Sequence, residues 1–156
     1  MAESNGDKAI KAIKHYLNGA WYWKKKQKIL EENIEYLRSQ AEKMTTKFQY
    51  VPVFSGYEDH RQDVIAKMID KEKKYLDAVK NCEERVEEIE FFINGLESYQ
   101  ERIVLEYRYI FFVGWLDISC KLHYNLRSVF KIHKNALHHL LDVHQKMVDN
   151  GGKPLF

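Results

Sequence analysis

An apolar heptad repeat in the middle of the chain restricts what it can fold into. Between residues 65 and 96, two positions of each seven-residue period are apolar or weakly polar, with Glu72 as the exception. One register holds Ile65, Glu72, Val79, Val86 and Ile93, and the other holds Met68, Tyr75, Cys82, Ile89 and Leu96. This spacing is typical of a coiled-coil seam. A helix over residues 60–96 would extend about 55 Å at 1.5 Å per residue, so it needs a partner of similar length.

The N-terminal part of the chain is the available partner. Residues 7–47 contain no Pro, and their apolar residues recur at the three-four spacing of one helix face. Asn18-Gly19 is a weak point, because a Gly inside a helix costs about 1 kcal/mol relative to Ala. We therefore predict a long antiparallel, coiled-coil-like hairpin over residues 7–97, with a connecting loop at 48–58. Dimerisation through the same stripe is the competing model.

Local signals give the predicted helix boundaries. Asp59 with Gln62 forms a capping box that predicts the start of the second helix, and Ser98 with Glu101 predicts a third helix over 99–111. The hairpin would therefore end near residue 97. A C-terminal domain is predicted over 98–146, followed by a flexible tail at 147–156, where Gly151 and Gly152 stop the last helix.

Composition and charge narrow the class of protein. The 156 residues suffice for one small domain with an extension, and no apolar run is long enough to span a bilayer. The net charge is only +2, but it divides as +3 over 1–58, −4 over 59–98 and +3 over 99–146. Cys82 and Cys120 stand alone, as in proteins of a reducing compartment. We expect a cytoplasmic protein with no membrane partner.

The last third of the chain has the pattern of a helix-turn-helix. Residues 115–141 contain a short helix, the polar break at 123–125 and a longer helix. The predicted inward set is Trp115, Ile118, Leu122, Val129, Ile132, Ala136, Leu137 and Leu140, packed on a preceding helix that carries Ile103, Leu105, Tyr109 and Ile110. The predicted DNA-binding set is Asn125, Arg127, Ser128, Lys131, Lys134 and Asn135, with Asn125 also as the N-cap. Arginine can read base edges in the major groove, and lysine can bind phosphates.

The stretch ERIVLEYRYIFFVGWLDISCKLHYNLRSVFKIHKNALHHL resembles region 4 of sigma-70-type factors, and more closely phage late-gene transcriptional regulators of the RinA/ArpU kind. The upstream helices and their Pro-containing loop are similar to the N-terminal half of the same phage proteins. The matching positions are Glu101, Arg102, Leu105, Arg108, Tyr109, Ile110, Trp115, Ile118, Leu122, Tyr124, Arg127, Val129, Ile132, His133, Ala136 and Leu137. The resemblance implies an all-α, sequence-specific DNA-binding protein that activates phage late genes in a bacterial host cell.

The chain departs from that family pattern before Trp115. Phe111-Phe112 replaces a polar residue and a Gly, and Gly114 replaces the usual Ser or Thr cap. The favoured interpretation is that the two Phe cover the hairpin, and the alternative is that they form an exposed contact for a partner protein.

Several other features have a structural interpretation that we weigh above a chemical one. His133, His138, His139 and His144 lack the carboxylate or Cys that would complete a metal shell, and the two Cys are expected to be small core residues. Residues 21–23, Trp-Tyr-Trp, are expected to lie partly in the core rather than to stack on bases. The basic run 24–28 either pairs with Glu83, Glu84, Glu87 and Glu88 or binds phosphates. No motif indicates catalysis, a cofactor or a metal.

The prediction is a non-enzymatic transcription regulator that binds double-stranded DNA through the helix starting at Asn125. The alternative is a sigma-like module that binds bacterial RNA polymerase or another protein and has little affinity for DNA.

Overall fold

The computed structural model describes residues 5–49 and 55–156, and all regular structure in these residues is helical. The helices are α1 (Asn5–Phe48), α2 (Ser55–Asn94), α3 (Tyr99–Leu105), α4 (Trp115–Leu122) and α5 (Leu126–Asp149), with a π-helical turn (Glu106–Ile110) directly after α3. The all-α prediction is therefore confirmed. None of the described helices is both long and apolar enough to cross a bilayer.

The predicted loop at 48–58 is only partly visible, because residues 50–54 lie outside the described part of the chain. The predicted start of the second helix is wrong: α2 begins at Ser55, so Asp59 lies inside the helix and does not cap it. A capping box makes a helix start favourable but does not prevent the helix from continuing upstream, and no Pro lies between Ser55 and Asp59.

Two compact units divide the described residues. The terminal unit combines the chain up to Trp23 with Glu84–Phe156, and the middle unit is Lys24–Glu83. This division differs from the predicted boundary near residue 97. The first part of α1 and the last part of α2 share a core with α5, and heptad spacing alone carries no information about such long-range packing.

In the middle unit, α1 and α2 run antiparallel. Gln27 Nε2 donates to Glu83 Oε1 at 3.2 Å, and Arg38 Nε donates to Glu72 Oε1 at 2.7 Å, so the partner number falls as the α1 number rises. The ion pair with Arg38 explains why the heptad stripe can contain one charged residue, Glu72. Among the described residues of this unit, only Ile34 and Cys82 are fully buried.

The core of the protein lies in the terminal unit. Its main cluster consists of Ile13, Leu17, Ala20, Ile89, Phe92, Ile93, Leu96, Leu105, Tyr109, Ile110, Ala136, Leu137 and Leu140. A smaller cluster of Val104, Ile118 and Val129 joins α3, α4 and α5. Most of the predicted inward set is therefore buried, while Trp115, Leu122 and Ile132 are half-buried and pack against the smaller cluster.

The third helical run ends close to the predicted residue 111, but only its first part is α-helical. Ser98 caps it as expected, with its hydroxyl accepting from the Glu101 backbone N–H at 3.4 Å. The α-helical pattern ends at Leu105, and the Phe111 N–H then bonds to the Glu106 carbonyl, five residues back. This π turn turns Tyr109 and Ile110 into the core, and sequence periodicity of 3.6 residues cannot indicate it.

The two phenylalanines after the π turn do not cover a buried surface. Phe111 is 63% exposed, and Phe112 is 39% exposed with a positive φ of 56°. The favoured interpretation, that they cover the hairpin, is therefore wrong. The left-handed backbone at Phe112 follows directly after the residue that caps the helical run, and both side chains are exposed.

Of two further expectations about burial, the one for Cys120 is wrong and the one for residues 21–23 holds for part of the trio. Cys120 is exposed, whereas Cys82 is buried as predicted. Trp21 and Tyr22 are about half exposed, and only Trp23 of the trio is mostly covered. The stretch has three aromatics in succession, which a helix distributes around its circumference, so they cannot all face one core.

The last ten residues contact the rest of the terminal unit. Helix α5 continues to Asp149, and the chain then turns at Gly151, whose φ is +83°. The Leu155 N–H donates to His144 Nε2 at 3.2 Å, and the Phe156 ring stacks on His144 at 4.2 Å between centroids. The segment predicted as a flexible tail thus includes the end of a helix and a return contact.

Candidate nucleic-acid interface

The connection between α4 and α5 is three residues long and held by side-chain bonds. His123 adopts a left-handed conformation (φ 55°) and ends α4. The Ser119 hydroxyl donates to the Tyr124 carbonyl at 2.6 Å, and Gln100 Nε2 donates to the Tyr124 hydroxyl at 2.8 Å. These bonds fix the turn to α3 as well as to α4, so they set the direction in which α5 begins.

Asn125 caps α5, as predicted. Its side-chain Oδ1 accepts from the Ser128 backbone N–H at 2.7 Å, and its own backbone is extended. An Asn in this role satisfies one of the N–H groups that have no partner within the helix. The amide NH₂ of Asn125 is left at the exposed start of the helix.

Aromatic packing holds α5 against α4 and the π turn. Trp115 makes edge-to-face contacts with Phe130 at 5.2 Å and with His133 at 4.7 Å between ring centroids. The Arg108 guanidinium lies 4.6 Å from the Trp115 ring, a cation–π distance. The N-terminal half of α5 is therefore a rigid element rather than a loosely attached one.

The predicted DNA-binding residues occupy the outer side of this helix. Arg127, Lys131 and Lys134 are exposed, and at 100° per residue they fall within about 60° of one another around the helix axis. Asn135 is exposed and Ser128 is half-buried, and both lie about 80 to 100° away from Arg127 on the flank of the stripe. The structure thus brings the three cations together and leaves the two polar residues beside them.

This stripe is electrostatically unopposed along its own helix. No Asp or Glu occurs in α5 before Asp142, and α5 has no acidic residue in its first turn. With the residues that the structure describes, none of Arg127, Lys131 and Lys134 forms a hydrogen bond or ion pair. Their charged ends therefore face solvent.

Two residues of the same face were not predicted. Phe130 is 45% exposed and lies about 60° from Arg127 around the helix axis, on the side away from Lys131. His138 continues the stripe one turn beyond Lys134. Phe130 follows the buried Val129, and sequence patterns predict that an apolar residue at this position lies in the core. Its spacing of three residues from Arg127 was the signal that could have placed it on the outer face.

His133, unlike the exposed Phe130 and His138, is buried under the stripe. Its Nε2 lies 3.0 Å from the Tyr109 hydroxyl, within hydrogen-bond distance. Burial lowers the pKa of His133 from 6.5 to about 4, and the nearby charges of Lys14 and Arg108 act in the same direction. The ring is therefore neutral at pH 7.

The other histidines have separate partners. His139 Nδ1 lies 2.8 Å from Oε2 of the buried Glu101, and this hydrogen bond and the carboxylate charge raise the pKa of His139. His144 is engaged by the C-terminal residues. Among residues 5–49 and 55–156 there is no group of three His, Cys, Asp or Glu side chains arranged to hold a metal.

Comparison of the chain with family models, curated proteins and solved structures gives no significant match. The function must therefore be argued from the site itself. A rigid helix that presents three neighbouring cations, one exposed ring and no acid can bind a polyanion through its phosphates and can place a guanidinium against base edges.

Proposed function

We propose that the chain is a sequence-specific DNA-binding transcription regulator, in which α4, the turn and α5 form the predicted helix-turn-helix. The observation that carries the proposal is the exposed cationic stripe on the N-terminal half of α5, which follows a capped start and a braced three-residue turn. An α-helix fits the major groove, which is about 12 Å wide. In this arrangement Arg127 reads a base, and Lys131 and Lys134 bind phosphates.

The remainder of the predicted architecture belongs to the same proposal. The antiparallel contacts of α1 and α2 in the middle unit support a helical hairpin. We propose in addition that this hairpin contacts a second copy or RNA polymerase. The proposed role in activating phage late genes rests on the sequence resemblance of residues 101–140 to such regulators.

Binding to a selected DNA sequence tests the proposal. The full-length protein is first used to select its preferred site from a random duplex library, and affinity is then measured by fluorescence anisotropy over a range of salt concentrations. Arg127→Ala is expected to lose about 1–3 kcal/mol on the selected site and little on random DNA. Lys131→Ala is expected to weaken binding to both and to lower the salt slope by about one.

Lys73→Ala on the exposed surface of α2 is the matched control, since it removes one positive charge from a residue outside the proposed helix-turn-helix. It should leave both affinities unchanged. If the wild-type protein shows no salt-sensitive affinity for any duplex, or if Arg127→Ala binds the selected site as well as wild type, the proposed DNA-reading role is wrong.

The exposed apolar residues of the same helix favour a second candidate, a contact with RNA polymerase or another protein. Leu126 and Phe130 are 37% and 45% exposed beside Arg127. If this candidate is correct, Phe130→Ser abolishes capture of polymerase subunits, whereas Arg127→Ala leaves it unchanged. Under the DNA proposal, Phe130 instead packs against a thymine methyl group, and Phe130→Ser changes the preferred DNA sequence without affecting capture of polymerase.

A further inference from the structure

A cleft of about 430 Å³ lies between the first turns of α1 and the middle of α5, within the terminal unit. Asp7, Ile10 and Lys14 line it from α1, at spacings of three and four residues that keep them on one helix face. Lys134 and His138 line it from α5. The cleft therefore joins the far end of the cationic stripe to the N-terminal helix, which is more than a hundred residues away in sequence.

The charge of the cleft is predominantly positive. Lys14 and Lys134 contribute one cationic group from each helix, His138 adds a titratable ring, and Asp7 is the single acid among the lining residues. Lys14 is exposed and forms no hydrogen bond or ion pair with the described residues. Its charge is close enough to the buried His133 to help lower the pKa of that ring.

The length of the stripe indicates which part of a bound DNA duplex would lie next to the cleft. From Arg127 to His138 the helix extends about 16 Å at 1.5 Å per residue. The major groove is only about 12 Å wide. An α5 that places Arg127 against base edges therefore brings Lys134, about 10 Å along the helix, to the edge of the groove and His138 beyond it, at the height of the sugar–phosphate backbone.

We propose that this cleft binds a phosphate of the DNA backbone beside the groove that α5 occupies, so that Lys14 of α1 shares the DNA interface with Lys134. The inference rests on the proposed function and deepens it. A phosphate held between two lysines carries no sequence information, and this contact therefore strengthens binding to every duplex and fixes the orientation of α5.

Lys14→Gln tests the contact through the salt dependence of binding. Loss of one phosphate contact lowers the slope of log K against log salt by about 0.9. The affinity ratio of wild type to variant is therefore expected to shrink about 3.5-fold between 50 and 200 mM salt. The same loss is expected on the selected site and on random DNA, and Lys73→Gln is the control with the same change of charge.

Asp7→Asn supplies a test of opposite sign. Removal of the acid from the cleft is expected to tighten DNA binding at low salt, whereas loss of a carboxylate from the first turn of α1 is expected to lower the melting temperature slightly. A purely structural role for this helix end would make both quantities worse, so the two readouts separate the interpretations.

The outcomes distinguish this inference from the function on which it rests. If wild type binds DNA and Lys131→Gln lowers the salt slope, but Lys14→Gln has the wild-type slope, α1 does not share the interface and only the cleft proposal is overturned. If wild type binds no duplex, both proposals are overturned. A reduced slope for Lys14→Gln with an unchanged melting temperature supports the phosphate contact.

Discussion

At the scale of single residues, His133 links the stability of the terminal unit to pH. Its ring is neutral in the folded state, with a pKa of about 4, and protonates near pH 6.5 in the unfolded chain. The unfolded state therefore binds more protons between these values, and stability falls as the pH falls from 6.5 to 4. We expect the free energy of unfolding to be about 2 kcal/mol lower at pH 5 than at pH 8 from this group alone.

Urea denaturation at a series of pH values measures this effect. His133→Gln, which can keep a hydrogen bond to Tyr109, is expected to remove most of the acid-induced loss, and His138→Gln on the exposed face is the matched control. Equal slopes for wild type and His133→Gln between pH 4.5 and 6.5 would contradict a buried neutral ring.

His139 is expected to act with the opposite sign. Its pKa is raised by Glu101, so its contribution to stability is full below pH 6.5 and is lost as the pH rises through the folded-state pKa. The side chain is mostly exposed, which limits the effect to about 0.5 kcal/mol. His139→Gln should therefore lower the free energy of unfolding at pH 5.5 and leave it unchanged at pH 9.

The residue scale also shows where sequence reasoning fails. The exposed Arg127, Lys131 and Lys134 follow from helical spacing, because charged residues opposite an apolar stripe face water. The burial of His133 and Glu101 does not follow, since it depends on partners 24 and 38 residues away in the chain. Whether a polar group is buried depends on tertiary contacts, and a single sequence does not show these contacts.

At the scale of elements, a glycine inside α1 lowers the stability of that helix. Gly19 lies inside α1, and a Cβ placed there would meet Ile89 Cδ1 and Trp23 Nε1 at 3.8 Å, an ordinary van der Waals distance. Gly19→Ala is therefore expected to stabilise the protein by about 1 kcal/mol, or about 3 °C in Tm. Differential scanning calorimetry measures the shift.

Gly95→Ala is the comparison for that variant. Gly95 lies after the end of α2, and its added Cβ would approach Val143 Cγ1 at 3.1 Å and the Phe92 carbonyl at 3.2 Å. This substitution gains no helix propensity and crowds its neighbours, so it should be neutral or destabilising. An increase in Tm for Gly95→Ala as large as that for Gly19→Ala would show that helix propensity is not the cause.

The start of α5 depends on the Asn125 cap. Asn125→Ala is expected to lower stability by about 1 kcal/mol, because the Ser128 N–H loses its partner, and Asn125→Asp is expected to keep the cap. The same two variants separate folding from binding. The Asp variant is expected to retain stability. If α5 binds DNA as proposed, the added negative charge faces phosphates, so DNA affinity should fall while the Tm does not.

Helix identity was predictable from the sequence, but helix ends and interruptions were less so. The heptad stripe and the breaks near residues 97 and 123–125 located the helices, because periodicity and capping are local properties. The π turn at Glu106–Ile110 was not predictable. The turn contains one residue more than an α-helical turn, and Tyr109 and Ile110 are thereby buried in the core. Its formation therefore depends on tertiary packing.

At the scale of the whole molecule, the two units differ in how they bury apolar side chains. Both hydrophobic clusters lie in the terminal unit, whereas the middle unit buries only Ile34 and Cys82 among its described residues. We predict that a variant in which residues 24–83 are replaced by a short Gly-Ser linker still folds, because it keeps every residue of both clusters.

Near-UV circular dichroism and a cooperative thermal transition of this shortened variant test the prediction. Its affinity for the selected DNA site should match that of wild type on a single site, since the stripe on α5 and Lys14 are both retained. A variant with helical far-UV signal but no near-UV signal would show that the middle unit is needed for side-chain packing in the terminal unit.

The composition of the main core also determines when that core can first form during synthesis of the chain. Ile13 and Leu17 come from the beginning of the chain, and Leu137 and Leu140 come from near its end, yet all four are buried in one cluster. While the chain is being synthesised, α1 emerges from the ribosome long before α5 exists to cover it. The N-terminal helix must therefore remain without its final partner until α5 has been synthesised, and the main core cannot form before that point.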